Sequence, residues 1–223
     1  ADILSYEIIL VNDGSSDKTL ENMIGLAEQD PVLVIIDLAR NFGHQLALSA
    51  GLSQAQGDYV LVLDADLQDP PELLNPMLER ARAGIDVVYG QRNQRKGETW
   101  LKLALTKVFY RILSFLSQTK IPENVGDFRL MSRRVVDHLM AMPERQRFIR
   151  GMIAWIGFRQ EAFLYDRDPR FAGQTKYPLS KLITFSLDAI ASFSIRPLRI
   201  ALLFAFFGAA LSGLLGLFAI YSY

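Results

Sequence analysis

One stretch of the chain constrains the fold more than any other: an apolar run, Tyr59–Leu63, that ends abruptly in acidic residues. Five apolar residues without polar alternation predict a strand that is buried on both faces and is central to an α/β sheet. Asp64, Asp66 and Gln68 follow, and Pro70–Pro71 then predicts the start of a helix. The acids therefore lie at the carboxyl end of a strand, where open α/β sheets bind their ligands.

The spacing of Asp64 and Asp66 predicts a site for a divalent cation. Residues two apart on an extended chain point to the same side, so both carboxylates can contact one ion, with Gln68 next on that side. A calcium loop of the EF-hand type is excluded, because its glycine and glutamate positions hold Asp69 and Asn75. The alternative is that both acids are solvated loop residues or helix caps, which is the commoner outcome for an isolated D-x-D pair.

The charges of the chain are divided between its two halves. The 223 residues carry no net charge at neutral pH, but residues 1–91 hold 15 acidic and 4 basic side chains, whereas residues 92–223 hold 9 acidic and 20 basic. The first half suits a metal ion, and the second suits phosphate or an anionic membrane surface. The absence of cysteine excludes disulfides and thiolate zinc sites. The length allows one α/β domain with an appendage.

Two further strand ends carry candidate ligands for a nucleotide. The strand Glu7–Val11 runs into a turn of small residues that contains Asp13, and a second strand is followed by Arg40 and Asn41. The chain has neither a G-x-G-x-x-G fingerprint nor a P-loop. We therefore expect Asp13 to accept hydrogen bonds from a nucleobase or ribose, although a well-capped strand-to-helix turn is the alternative. His44, beside a glycine, is interpreted as a hydrogen-bonded loop residue rather than a catalyst.

Asp127 is an acid inside the apolar, strand-like run Asn124–Met131. Burying a lone carboxylate is costly, so Asp127 needs either a partner or a chemical task. The alternative to a task is an internal pairing with Arg129 or with the backbone. Ser132, just after this run, is predicted to cap a helix that begins at Arg133. Further along the chain, Arg170 and Lys176 lie in a polar loop and are spaced to reach one phosphate.

Three segments indicate a membrane. Residues 101–117 and 178–197 have an apolar and a polar side, which fits helices at a membrane surface, although the first could simply pack on the core. Ile200–Tyr223 is 24 residues long without a charge, and a helix of that length spans about 36 Å, enough for a membrane. Because basic flanks stay cytoplasmic, Arg196 and Arg199 place the preceding domain in the cytoplasm.

The predicted organisation is a cytoplasmic α/β domain over residues 1–177, an interface helix over 178–197 and a transmembrane helix over 198–223. Gly208 and Gly213 would allow close packing with another helix, and thus a homo-oligomer. The sequence stops without a polar tail, which indicates a second membrane helix beyond it.

Taken together, these motifs resemble the family-2 glycosyltransferases of the GT-A fold, a Rossmann-like α/β domain that binds nucleotide sugars. More narrowly, the chain is similar to the polyisoprenyl-phosphate glycosyltransferases, the bactoprenol glucosyltransferase and dolichyl-phosphate mannose synthase group. Five motifs occur in the family's order: Val11–Asp17, Ala39–Gly43, Asp64–Glu72, Gly126–Arg129 and Gly173–Tyr177. The family's opening strand, which ends in a Pro-x-Tyr-Asn-Glu-like turn, has no counterpart, so part of the nucleotide pocket is expected to be missing.

The resemblance implies a role for each candidate residue, with Mg²⁺ or Mn²⁺ as the cofactor. The nucleotide would be bound by Asp13, Gly14, Ser15, Arg40, Asn41 and Asp64. The metal would be held by Asp64, Asp66 and Gln68, and Asp127 occupies the catalytic-base position. A phosphate acceptor is already largely ionised near neutral pH, its second pKa being about 6, so we expect Asp127 mainly to orient the sugar or the acceptor. Arg129, Arg170 and Lys176 would then contact the acceptor phosphate.

The activity that the resemblance implies is inverting transfer of glucose from UDP-glucose to a polyprenyl phosphate at the cytoplasmic face of the inner membrane. GDP-mannose is the alternative donor. A processive polysaccharide synthase shares the fold, but the Gln-x-x-Arg-Trp motif expected of it is absent from the sequence. The remaining alternative is a membrane scaffold that binds nucleotide without catalysis. No nucleic-acid partner is expected.

Overall fold

The structure is a computed structural model, and it describes residues 5–92, 125–145, 147–166 and 196–222. The chain divides into two units, one of Ala1–Glu98 with Ile121–Thr175 and the other of Thr99–Lys120 with Lys176–Tyr223. The predicted interface helix at 101–117 and all but the last two residues of the one predicted at 178–197, together with Arg170 and Lys176, lie outside the described residues. The domain boundaries proposed from the sequence stay a prediction.

The amino-terminal part of the first unit is a two-stranded parallel sheet with a helix after each strand. Strand β1 covers Ile8–Asn12 and strand β2 covers Leu33–Asp37, and they pair in register from Ile8 opposite Leu33 to Asn12 opposite Asp37. Helix α1 is Thr19–Ala27 and helix α2 is His44–Gln54. Both strands were predicted, because each is a short apolar run bounded by turn residues.

A four-stranded mixed sheet forms the rest of this unit. Its strands are β3 (Tyr59–Val62), β4 (Val87–Arg92), β5 (Val125–Ser132) and β6 (Gln160–Tyr165), in the order β3–β5–β4–β6. Strand β5 is antiparallel to both of its neighbours, and β4 is parallel to β6. The start of β5 therefore lies beside the end of β3, with Arg129 opposite Val62.

The prediction that β3 is a central strand buried on both faces is wrong for the described residues. There β3 is the outermost strand of its sheet, and of its four residues only Val62 is fully buried. The strand that is buried along most of its length is β5, because it lies between β3 and β4. The apolar run alone cannot distinguish these positions, since an outer strand covered on one side by helices has the same composition.

The main core lies between helix α3 and the sheet. A short 3-10 turn at Pro71–Leu73 precedes α3, Leu74–Arg82, so the proline pair starts the helical segment as predicted. The other described helices of this unit are α4, Arg133–Ala141, and α5, Ile149–Ile156. The buried cluster between α3 and strands β4, β5 and β6 consists of Met77, Leu78, Ala81, Val88, Phe128, Leu130 and Tyr165.

Ser132 occupies the position before α4 but does not cap that helix through its side chain, contrary to the capping inferred from the sequence. Its hydroxyl instead donates to Asp86 Oδ1 at 3.1 Å, and Arg134 donates to both oxygens of the same carboxylate at 2.5 and 2.6 Å. The hydrogen bonds from Arg134 hold the pKa of Asp86 below its usual range. An ionised, nearly buried acceptor attracts the hydroxyl more strongly than a backbone amide does.

The second unit contains one long described helix, α6, which covers Arg196–Tyr221. Its segment Ala201–Tyr221 is long and apolar enough to cross a membrane by length and composition. Large apolar side chains such as Phe204 and Phe218 are exposed, as expected of a helix surrounded by lipid. Within the part of the chain that the structure describes, no neighbouring atom lies within 4 Å of a Cβ added at Gly208 or Gly213. Self-association through these glycines stays a prediction.

Gly90 of strand β4 is expected to tolerate no side chain. An added Cβ would lie 2.8 Å from Tyr165 Cε1 and still closer to Phe128 Cδ1, so Gly90→Ala should lower the melting temperature by about 6 °C through overpacking. Gly25→Ala in helix α1 is the control, because nothing lies within 4 Å of its added methyl group and alanine favours a helix. Thermal unfolding measures both, and an unchanged midpoint for Gly90→Ala would contradict the packing.

Candidate active site

Asp127 is the buried centre of the candidate site. It lies on β5, where both faces of the strand are covered, and it is 1% exposed. Arg150 of helix α5 binds its carboxylate with two hydrogen bonds, from Nε to Oδ1 at 2.8 Å and from Nη2 to Oδ2 at 2.7 Å. His44, the first residue of α2, places Nε2 2.9 Å from Oδ2. The buried charge is therefore paired by two side chains distant in sequence.

These contacts keep Asp127 ionised. Burial by itself would raise the pKa of Asp127, but hydrogen bonds from Arg150 and His44, with the charges of Arg150 and Arg129, hold that pKa well below its usual range. The hydrogen bond between Asp127 and His44 also raises the pKa of His44. A carboxylate with such a low pKa is a weak proton acceptor, which fits an orienting group better than a general base.

Arg129 was the partner considered for Asp127 from the sequence, but its contact is the longer one. Its Nη2 is 3.8 Å from Asp127 Oδ1, whereas it donates to the carbonyl oxygen of Gly126 at 2.7 Å. Burial lowers the pKa of Arg129 to about 10. A phosphate would have to reach a guanidinium that is almost fully covered, and the predicted acceptor role of Arg129 stays a prediction.

The loop after β3 brings Asp64 to the same place. Asp64 Oδ1 is 3.7 Å from His44 Nε2, so one imidazole faces both Asp64 and Asp127. Burial raises the pKa of Asp64, and so do the nearby charges of Asp127, Asp69 and Asp66, while His44 acts in the opposite direction. Asp66 Oδ1 accepts a hydrogen bond from the backbone amide of Gln68 at 3.2 Å. This loop concentrates negative charge beside Asp127.

The oxygen donors of this loop fit a divalent cation that is bound partly by the protein and partly by the oxygens of a diphosphate. Among the described residues no group of three or more histidine, cysteine or acidic side chains forms a complete protein cage for a metal. Asp64, Asp66 and Gln68 nevertheless offer hard oxygen donors, which Mg²⁺ and Mn²⁺ prefer, and Mg²⁺ is commonly bound through one or two carboxylates plus phosphate oxygens. Burial, and beside it the charges of Asp127, Asp69 and Asp66, raise the pKa of Asp64, and a cation bound at this loop would favour the ionised carboxylate.

The segments predicted to bind the nucleotide lie against each other. Asp13 accepts hydrogen bonds from the backbone amides of Phe42 and Gly43 at 2.7 and 3.0 Å, and Asn41 Nδ2 donates to the carbonyl oxygen of Asp13 at 2.9 Å. Gly14 has a φ of +64°, and a Cβ there would lie 2.5 Å from backbone atoms of Arg40 and Asn41. Only glycine fits so close an approach in this conformation.

Ser15 and Arg40 complete the predicted nucleotide set. The amide of Ser15 donates to Asn12 Oδ1 at 3.1 Å, which forms part of the turn after β1. The guanidinium of Arg40 lies over the ring of Phe42, 4.1 Å from its centroid. The structure thus gathers Asp13, Gly14, Ser15, Arg40 and Asn41 around one turn, and their contact with a nucleotide stays a prediction.

Asp13 is expected to hold the loop that follows β2. Asp13→Ala removes the acceptor of two amides, so hydrogen exchange at Phe42 and Gly43 should accelerate about tenfold or more. Exchange measured by mass spectrometry on a peptide covering residues 40–45 tests this. Asp30→Ala is the control, because Asp30 accepts a single amide, from Val32 at 3.1 Å, in another exposed turn. Unchanged protection of residues 42 and 43 would contradict the expectation.

Two residues at the site were not identified from the sequence, and a third was underrated. Arg150 gave no signal, since an arginine in an amphipathic helix is common. Gln45 donates to Asp127 Oδ2 at 3.4 Å and accepts the amide of Ile149 at 2.9 Å, which joins α2 to α5. His44 was interpreted as a loop residue, yet it contacts both Asp64 and Asp127. The available clue was the position of His44 and Gln45 after a strand end, where ligands bind.

The architecture is a GT-A-like α/β fold, and comparison with solved structures supports it. A mycobacterial protein aligns with a TM-score of 0.57 at 18% identity, over 86% of this chain and 64% of its own. The glucosyl-3-phosphoglycerate synthase of Mycobacterium tuberculosis, crystallised with Mn²⁺, UDP-glucose and phosphoglyceric acid, aligns with a TM-score of 0.53 at 20% identity, over 82% of this chain and 66% of its own. These likenesses establish the fold.

The sequence gives the family. The profile of glycosyl transferase family 2 matches residues 2–140, and the chain belongs to this family of glycosyltransferases. An uncharacterized glycosyltransferase of Synechocystis is 50% identical over 88% of this chain, and the chain spans 62% of that relative's length. The bactoprenol glucosyl transferase of Shigella phage SfV is 42% identical over 94% of this chain and 68% of its own length. A prophage bactoprenol glucosyl transferase homolog of Escherichia coli is 43% identical over 89% of this chain and 66% of its own.

Proposed function

We propose that this glycosyltransferase transfers glucose from UDP-glucose to a polyprenyl phosphate at a membrane surface. The observation that carries the proposal is the convergence of Asp64 and Asp127 on His44 at one end of the sheet. The similarity to bactoprenol glucosyl transferases over most of the chain supports the acceptor and the sugar. The apolar segment Ala201–Tyr221 supports work on a lipid substrate.

The donor would lie between the turn after β1 and the loop after β3. The turn that gathers Asp13, Gly14 and Asn41 would contact the nucleotide, and Asp64, Asp66 and Gln68 would hold Mg²⁺ or Mn²⁺. The bound metal would neutralise negative charge on the diphosphate as it leaves. Asp64 is suited to this position because it lies at the carboxyl end of β3, in a loop that also carries Asp66 and Gln68.

The transfer itself is a single displacement. An oxygen of the lipid phosphate forms a bond to the anomeric carbon while the bond from that carbon to the diphosphate breaks, and UDP departs with the electron pair. This step inverts the anomeric configuration. The acceptor phosphate arrives largely ionised, so no strong base is needed. Asp127, held by Arg150 and His44, would orient the sugar or the acceptor through hydrogen bonds.

The membrane side of the proposal rests on α6 and its flanks. Arg196 and Arg199 would keep the start of α6 at the cytoplasmic face of the inner membrane, which is where a nucleotide sugar is available. Arg170 and Lys176 would assist in binding the lipid phosphate, by charge complementarity.

The test is glycosyl transfer by the full chain in detergent. Radiolabelled UDP-glucose, undecaprenyl phosphate and Mn²⁺ should give a labelled lipid of inverted configuration, and EDTA should abolish its formation. Parallel reactions use GDP-mannose, and a product with retained configuration would contradict the single displacement. A labelled mannolipid in place of the glucolipid would identify GDP-mannose as the donor, and a labelled polymer would identify a polysaccharide synthase. Nucleotide binding without any transfer or hydrolysis would identify a scaffold and overturn the proposal.

A further inference from the structure

The loop that carries the predicted metal ligands has an unfavourable conformation. Between Val62 and Pro70 the chain must turn sharply, and Leu67 there adopts a φ of +57° although it is not a glycine. Its side chain is 71% exposed, so packing does not compensate for the strain. A left-handed conformation at a branched residue persists only where the surrounding structure enforces it. Something outside Leu67 therefore fixes this loop.

Two contacts enforce the turn. Asp66 Oδ1 accepts the amide of Gln68 across Leu67, which is a local contact. Asp69 is the long-range one, because it is 3% exposed and accepts a hydrogen bond from the hydroxyl of Tyr165. A buried carboxylate is costly unless it is hydrogen-bonded, so the phenol gives Asp69 a fixed place.

Tyr165 is itself held firmly. It is the last residue of β6, it is 5% exposed, and its ring makes an edge contact with Phe128, with centroids 5.3 Å apart. Phe128 directly follows Asp127 on β5. One aromatic pair thus connects the Asp64–Asp69 loop with the strand that carries Asp127.

We propose that Tyr165 is a positioning residue for the metal ligands: its hydroxyl anchors Asp69 and thereby holds Asp64 and Asp66 in the arrangement that binds a cation. This inference rests on the proposed function, since it assigns Tyr165 to the metal site used there. In the described part of the chain the hydroxyl of Tyr165 donates to Asp69, which is not one of the predicted ligands. Its effect should therefore appear in loop order and cation affinity rather than in overall folding.

The test compares three single variants of the full chain and the double variant that combines Tyr165→Phe with Asp69→Ala. Tyr165→Phe removes only the hydroxyl, and Asp69→Ala removes its acceptor. Tyr59→Phe is the matched control, because Tyr59 packs against the same core and its hydroxyl has no hydrogen bond within the described parts of the chain. Hydrogen exchange of a peptide covering residues 64–70 measures loop order without metal. Loss of the free Mn²⁺ signal in electron paramagnetic resonance, with UDP present, measures cation affinity.

We expect Tyr165→Phe to accelerate hydrogen exchange in this peptide about tenfold. We also expect it to raise the Mn²⁺ concentration needed for half-saturation about five- to tenfold. Asp69→Ala should do the same, and the double variant should stay within about twofold of Asp69→Ala, because both single changes break the hydrogen bond between Tyr165 and Asp69. Tyr59→Phe should stay within about twofold of the unmodified chain in both measurements.

Two results would overturn the inference. One is Mn²⁺ binding by Tyr165→Phe within about twofold of the unmodified chain, whether or not exchange accelerates. The other is an equal loss of affinity in Tyr59→Phe, which would indicate general destabilisation. If the unmodified chain with UDP bound no Mn²⁺, the proposed function would fail instead, and the exchange comparison alone would decide whether Tyr165 anchors the loop.

Discussion

Asp64→Asn is expected to reduce glycosyl transfer by about a thousandfold without lowering the melting temperature. The substitution keeps the shape of the side chain but removes the charge that a cation on the leaving diphosphate requires, and lost electrostatic stabilisation of this kind costs about 10²–10³ in rate. Burial and the neighbouring acids already disfavour the charge on Asp64, so the fold does not depend on it. Transfer rates over a range of Mn²⁺ concentrations and thermal unfolding measure the two effects.

Asp58→Asn provides the matched control for this experiment. Asp58 is an exposed acid at the opposite end of strand β3, and its backbone carbonyl rather than its carboxylate contacts Arg133. Removal of the Asp58 charge should leave the transfer rate within about twofold of the rate of the unmodified chain. If Asp64→Asn retained a third or more of the original kcat/KM, Asp64 would have no essential role in the reaction.

Arg150→Met is expected to destabilise the fold more than any other single change considered. Asp127 would remain buried with His44 and Gln45 but without its bidentate partner, and breaking a buried ion pair costs about 3–5 kcal/mol. Because the side chain of Arg150 is 29% exposed, we expect the lower end of that range, a melting temperature lower by about 6–10 °C. Arg145→Met is the control, because Arg145 is an exposed arginine shortly before α5, and it should change the melting temperature by about 1 °C or less.

The pH dependence and a double variant separate the ion pair from simple loss of packing. The depressed pKa of Asp127 stabilises the native protein above the unfolded value of about 4, and this contribution is lost only as pH falls through the folded pKa. In Arg150→Met burial would raise that pKa, so the stability difference should narrow from pH 7 toward about pH 4. Asp127→Asn combined with Arg150→Met should recover most of the loss at pH 7. A pH-independent difference, with no recovery in the double variant, would contradict the pairing.

Local sequence was sufficient to predict those strands and helix ends that depend on a few adjacent residues. The strands Ile8–Asn12 and Leu33–Asp37 and the helix start at Pro71 were predicted, because apolar runs, turn residues and proline act over a few positions. Asp64 and Asp127 were identified as candidates because each is an acid at or inside an apolar run. Helix α5 and strand β6 gave weaker patterns, and they supply Arg150 and Tyr165.

The differences from local expectation share a physical origin. Pairing of Asp127 with Arg129 was the alternative considered because the two are close on one strand, but Arg129 donates to Gly126 and Arg150 makes the shorter contacts with the carboxylate. Ser132 was expected to cap α4, but it donates to Asp86, which comes from another part of the chain. In both cases the shorter or stronger hydrogen bond is made with a charged group that lies far away in the sequence and that folding brings close.

The sequence by itself determined the family and the apolar C-terminal segment, and it singled out Asp64 and Asp127 as candidate site residues, because these depend on residue types and short spacings. The tertiary structure decided which groups surround those acids. Only the antiparallel pairing of β5 with β3, and the packing of α2 and α5 beside them, brings His44 to both Asp64 and Asp127 and Arg150 to Asp127. The reason is that a buried charge must be compensated at short range, and the side chains within reach are set by chain packing rather than by proximity in sequence.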